Sequence, residues 1–209
     1  MDVKKRVLII GGGASGLAAA VWAARQGARV TVVEHMDRVG KKILSTGNGR
    51  CNLTNLRMGG GCYRCGQKGF PMEVIRGFGV DETLAFFKGL GIEPKDRNGY
   101  IYPNSDQASA VLDVLRSEVE RLGVVVLLSC RVEKIEPAVG GGGVRYKVYT
   151  DQGILDAEAV ILAAGSKAAP STGSDGSGYE LARRLGHRII KPLPALVQLR
   201  CQGSMYRQM

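Results

Sequence analysis

The feature that most constrains this chain is its beginning. Four apolar residues, Val7-Leu8-Ile9-Ile10, run into Gly11-Gly12-Gly13-Ala14-Ser15-Gly16 and on into the Ala-rich Leu17-Ala18-Ala19-Ala20. An apolar run without alternation reads as a strand buried on both faces, and the Ala-rich segment as a helix packed closely against it. The glycines between them spell G-x-G-x-x-G. Gly11 permits a tight turn, Gly13 lets backbone approach a pyrophosphate, and Gly16 lets helix and strand close up. The helix start then turns free N–H groups and the positive end of its dipole toward an anion in the turn.

A glycine turn alone is weak, but the flanking sequence agrees with it. The helix is predicted to run to about Gln26 with Gly27 at its end, and Arg29-Val30-Thr31-Val32-Val33 forms a second buried strand ending at Glu34. An acid about 20 residues past the glycines is where a ribose hydroxyl pair is gripped, so the stretch predicts a dinucleotide site. FAD and NAD present the same hydroxyls, and Glu34 suits either.

The 209 residues carry 29 Lys+Arg against 19 Asp+Glu, a formal charge of +10. The basic residues are scattered, which reads as a solvated surface as readily as a nucleic-acid face. No apolar run is long enough to span a bilayer and none reads as a signal peptide, so a cytoplasmic protein is expected. Five cysteines without framework spacing fit reduced thiols.

Further along, residues 45–55 are rich in Gly, Asn, Ser and Thr, and predict an irregular loop lining an anionic ligand. Residues from about 57 to 104 read as an excursion from the sheet, with a short helix over 82–90 capped by Asp81, a turn at Asn98-Gly99, and extended Tyr100-Ile101-Tyr102. Ala108, Val111, Leu112, Leu115, Val119 and Leu122 share one face of a crossover helix capped by Ser105 or Asp106. A buried strand is expected at 124–128. Alternating residues from Val132, with a glycine tip at 140–143, predict a meander that feeds another buried strand, 159–165. Gly173 to Gly178 reads as an N-cap turn before a short helix at 179–185, in preference to a second phosphate site.

Four blocks together resemble one family: the turn at 11–16, GKKILSTGNGRCNLTN at 40–55, the strand at 160–165, and GSDGSGYELARRLGH at 173–187. They are similar to the BaiN-like, or aminoacetone-oxidase-type, FAD-binding oxidoreductases over essentially the whole chain. The resemblance implies FAD in the site, with NAD(P)H a candidate electron donor. It implies an α/β fold: a three-layer ββα Rossmann-like domain with a parallel sheet and β-meander, related to glutathione reductase. It places Gly11, Gly13, Ala14, Ser15 and Gly16 at the pyrophosphate and Glu34 at the adenosine ribose. Lys42, Thr46, Gly47, Asn48, Arg50, Cys51 and Asn52 would follow the ribityl chain and flavin. Val132 would lie beside the adenine, and Ala164 and Gly165 near the pyrophosphate or flavin edge. Ser166 departs from the family, which commonly has a second glycine there. Members continue into an inserted substrate domain, so residues 1–195 are expected to form the FAD-binding domain and 196–209 to open a missing one. The fold is then incomplete at its C-terminus, and FAD is expected to be held weakly.

The function these readings imply is FAD-dependent oxidation or reduction of a small molecule. Two alternatives stand beside it: an RNA-associated flavoprotein, opposed by an aromatic content of 6%, and a cofactor-binding scaffold without turnover. No side chain demands the part of catalytic acid or base. His35 and His187 stand alone, Cys51 reads as a packing residue within the loop, and Cys62-Tyr63-Arg64-Cys65 lacks the partner ligands of a zinc site and the helix start of a redox motif.

Overall fold

The computed structural model describes residues 4–138 and 145–194. In chain order the elements are β1 (Arg6–Ile10), α1 (Ala14–Arg25), β2 (Arg29–Val33), β3 (Thr54–Asn55), α2 (Phe70–Arg76), α3 (Val80–Gly89), β4 (Pro94–Arg97) and β5 (Tyr100–Pro103). They continue with α4 (Ala108–Arg121), β6 (Val125–Leu127), β7 (Val132–Pro137), β8 (Tyr146–Thr150), β9 (Gly153–Ala157), β10 (Ala159–Leu162) and α5 (Ser177–Arg184). The glycine tip at 140–143 and everything beyond 194, including the expected domain boundary, lie outside the described residues.

The central sheet is parallel, in the order β10-β1-β2-β6. Side chains alternate across it. Val7, Ile9, Val30 and Val32 face α1 and α4, where Leu17, Val21, Val111 and Leu115 fill one core. Leu8, Ile10 and Val33 face the other way onto the antiparallel meander β7-β8-β9 and α5, with Ile135, Val148, Ala157 and Leu181 in a second core. The unbroken apolar run of β1, and the run of β2 interrupted only by the half-buried Thr31, therefore have the cause expected of them: one side feeds each core. The architecture is the anticipated three-layer ββα Rossmann-like domain.

The expected edges were more buried than the fold allows. β6 and β10 end the sheet, so Val125 is 46% exposed and Ile161 and Leu162 are 37% and 38% exposed. Two helix starts also shift. α3 is capped by Gly79, whose N–H donates to Glu82 Oε2 at 2.9 Å, while Asp81 lies within its first turn. α4 begins after Gln107. Asp106, expected as its cap, instead accepts from Lys95 and Arg97 and ties the β4–β5 hairpin to the helix entrance. That hairpin turns at Asn98 and Gly99, with φ of 54° and 89°, the paired left-handed geometry of a tight two-residue turn. Its first strand was not anticipated, since Pro94 marks a helix stop in sequence; here it opens a strand opposite Pro103, where no ladder N–H is needed.

Candidate functional site

The carboxyl ends of β1, β2 and β10 converge on a cavity of about 370 Å³. Its floor is the glycine turn. Gly11 has φ of 107°, and a Cβ there would lie 2.5 Å from the Ala163 carbonyl oxygen. At Gly16 a Cβ would fall 1.8 Å from the Gly11 oxygen, so α1 can rest on the turn only as glycine. A Cβ on Gly13 would meet nothing within 4 Å, which marks the open side of the turn. Gly13 is also the N-cap of α1 and offers no capping side chain, leaving the first helical N–H groups facing the cavity.

Gly12 was the unremarked position of the motif. A Cβ there would lie 2.5 Å from Val39 Cγ1. Its N–H donates to Glu34 Oε2 at 2.7 Å, and its carbonyl accepts from the Gly40 N–H at 2.8 Å. The second oxygen of Glu34 accepts from the Met36 N–H at 2.8 Å, with His35 Nδ1 3.2 Å away. Glu34 is only 7% exposed and borders the cavity. A carboxylate has about four acceptor positions. With two taken by backbone amides, Glu34 retains capacity for a pair of hydroxyls while it braces the turn.

The HI0933-like protein Rossmann-domain family matches residues 5–201. The chain belongs to that family. It is 49% identical over 197 residues to the 3-dehydro-bile acid delta(4,6)-reductase of Clostridium scindens, covering 93% of this chain and 47% of that protein. It is 28% identical over 191 residues to the ribosomal RNA dihydrouridine synthase of Haemophilus influenzae, covering 91% and 47%. The chain spans about half the length of the curated relatives it matches. Among solved structures, the open conformation of a flavocytochrome c3 fumarate reductase has a TM-score of 0.59 at 17% identity, over 88% of this chain and 41% of that one. Thermovibrio ammonificans THI4 has a TM-score of 0.55 at 19% identity, over 88% and 64%. At these identities the likeness is one of fold. The family is the one the four sequence blocks resemble.

Of the residues that the BaiN-like resemblance assigns, the structure brings Gly11, Gly13, Ala14, Ser15, Glu34, Lys42, Thr46, Cys51, Asn52, Val132, Ala164 and Gly165 to the cavity wall. Gly16, Gly47, Asn48 and Arg50 do not line it. Gly16 lies beneath the turn. Gly47 and Asn48, at φ of 55° and 54°, shape a kink between two short 3-10 turns within Ile43–Gly49, where an irregular loop was expected. Arg50 donates to the Gly47 oxygen at 3.2 Å and lies over the Tyr102 ring at 5.3 Å. Asn52 reaches β5 through Nδ2, which donates to the Ile101 oxygen at 3.0 Å. Much of the polarity of this loop thus serves the loop itself. Cys51 is half-buried, and burial pushes its thiol up from the ordinary range, which disfavours a thiolate.

Several residues of the wall or just behind it had no signal in sequence. Arg131, on the wall, forms an ion pair at 3.1 Å with Asp175 that joins the entrance of β7 to the turn before α5. Burial opposes ionisation of Asp175, but hydrogen bonds from Ser177 and Arg131 outweigh it and hold the carboxyl at about 2. The Asp175 carboxylate also accepts from the Ser177 N–H at 2.9 Å. The turn leads into α5 two residues earlier than expected, at Ser177, with Gly176 at the N-cap and no side-chain cap there, and Ser177 borders the cavity. His35, Met36, Cys130 and Ser174 reach the same wall from three different loops; only the tertiary fold brings them together.

Proposed function

We propose that this chain holds the FAD of an oxidoreductase that acts on a small organic substrate. The observation that carries the reading is one cavity in which the uncapped start of α1 faces open space beside the buried Glu34 carboxylate. The helix start suits a diphosphate, and Glu34 suits the ribose hydroxyls. FAD is preferred over NAD because the wall continues past the turn through Thr46, Cys51 and Asn52, in the loop whose sequence resembles FAD enzymes. When bound, FAD supplies hydride chemistry at its ring, while the protein binds, orients and excludes water. NAD(P)H is the proposed electron donor. The Clostridium scindens relative carries the name of a 3-dehydro-bile acid reductase, so unsaturated ring ketones are the first substrate class to test.

No helix among the described residues is long and apolar enough to cross a membrane. The four described cysteines are unpaired, in keeping with a reducing cytoplasmic setting. A second reading, RNA as the substrate, is favoured by the formal charge of +10 and by the ribosomal RNA dihydrouridine synthase among the relatives. It predicts binding to an RNA hairpin that weakens steeply with salt.

Titration with FAD, followed by quenching of flavin fluorescence, tests the first reading. Glu34→Ala is expected to weaken binding by about ten- to a hundredfold, or roughly 1.5–3 kcal/mol for a lost charged acceptor. An unchanged affinity in that variant would remove Glu34 from the ribose site.

A further inference from the structure

Four cations border the cavity: Arg38, Lys41, Lys42 and Arg131. Three of them are paired with a carboxylate. Arg38 and Lys41 share Asp37, at 3.3 and 3.1 Å, and Arg131 pairs with Asp175 at 3.1 Å. Lys42 has none within 4.0 Å among the described residues. Its Nζ instead donates to Ser174 Oγ at 3.4 Å, across 132 positions of sequence. Ser174 is 7% exposed and lines the cavity, and its hydroxyl meets no acceptor among the described residues. A buried donor without an acceptor is costly unless something else in the site completes it.

The two residues stand on either side of the glycine turn. Lys42 follows Gly40, whose N–H donates to the Gly12 oxygen at 2.8 Å. Ser174 Oγ would lie 3.1 Å from a Cβ on Gly165, which follows Ala163 and Ala164 where they touch Gly11. The unneutralised ammonium, the open hydroxyl and the free N–H groups of α1 therefore border one space. All three favour negative charge there.

We infer that Lys42, oriented by Ser174, is the side-chain cation of the diphosphate site at the start of α1, rather than a contact of the flavin. This rests on the dinucleotide reading above. Lys42 would pair with a phosphate without first breaking an ion pair, as Arg38, Lys41 or Arg131 would have to do. Ser174 is the positioning residue. It holds the flexible lysine stem over the turn and offers its own proton to a phosphate oxygen.

Calorimetric titration of the full chain with ADP and with adenosine tests this without turnover. Lys42→Met is expected to lower ADP affinity by about ten- to thirtyfold and leave adenosine binding unchanged, as for a lost charge-assisted contact. Lys42→Arg should retain ADP affinity within about threefold, and Ser174→Ala should lose about threefold, restored by Ser174→Thr. ADP binding in Lys42→Met equal to that of the unsubstituted chain would overturn the inference. So would a changed FAD midpoint potential in that variant with ADP affinity intact, because the ammonium would then belong to the flavin. If the unsubstituted chain binds neither ADP nor FAD, the dinucleotide reading itself fails, and this inference with it.

Discussion

Gly16 shows what one missing methyl group does in this fold. Its Cβ would overlap the Gly11 carbonyl oxygen at 1.8 Å, and neither backbone can retreat while β1 stays in the sheet. Gly16→Ala is expected to destabilise the protein by at least about 2 kcal/mol in urea denaturation, near the upper range for overpacking. A change below about 0.5 kcal/mol, typical of an unconstrained surface site, would contradict the packing argument. Gly12→Ala should cost less, because its nearest obstructions are side-chain atoms, Val39 Cγ1 at 2.5 Å and Val39 Cβ at 3.1 Å, which can shift further than the backbone oxygen that blocks Gly16. The role of Gly16 was legible from G-x-G-x-x-G, since its partner lies within the motif. The constraint on Gly12 was not, because Val39 meets it only after the chain has passed through β2. Glu34 was likewise readable as an acid at a strand end. Its bracing of Gly12 and Met36 follows from the close approach of two loops, which spacing does not encode.

At the scale of elements, Glu118 ties α1 to α4. It is buried on α4 and accepts from Arg25 through Nε and Nη2 at 3.0 and 2.8 Å, and from Arg121 at 2.6 and 2.8 Å. Hydrogen bonds from Arg121 first, and then from Arg25, lower its carboxyl from 4.5 to about 2 against the opposing effect of burial. The folded state therefore binds fewer protons than the unfolded chain between those values. Its contribution is complete above pH 4.5 and is lost as pH falls through about 2. Glu118→Gln should cost about 1–3 kcal/mol at neutral pH and flatten the acid limb of the stability curve over that interval. An acid limb of unaltered slope would show that other carboxylates set it. The periodicity that predicted α4 did not mark Glu118, because the arginine that helps to bury it comes from α1, 93 residues away.

For the whole molecule, the consequence of the ββα layering is that two cores share one sheet. Val7 and Ile9 belong to the helical core, while Leu8 and Ile10 belong to the core under the meander. Neither layer can separate without exposing alternate residues of the same strand. Val148→Ala, at a fully buried position in the meander, should cost about 2 kcal/mol through lost burial and the cavity left behind. That cost should appear as an earlier midpoint of one cooperative transition, seen alike by far-UV and near-UV circular dichroism. Two separated transitions would mean that the meander unfolds independently of the sheet.

The sequence alone determined what depends on neighbours along the chain. The strand-turn-helix at 7–25, the second strand ending at Glu34, the Asn98-Gly99 turn and the amphipathic face of α4 all arise from local sterics and from periods of two and 3.6 residues, which are written in residue order. The four blocks that resemble the family belong to the same class of signal. The tertiary structure decided which strands lie at the edge of the sheet, which loop residues turn toward the cavity and which serve their own loop, and which cations find partners. Lys42 and Ser174 are 132 positions apart and meet at the cavity wall, and Arg131 of that wall meets Asp175 44 positions away. Contacts of that kind depend on how the layers pack, and packing brings together residues whose separation along the chain carries no periodic mark.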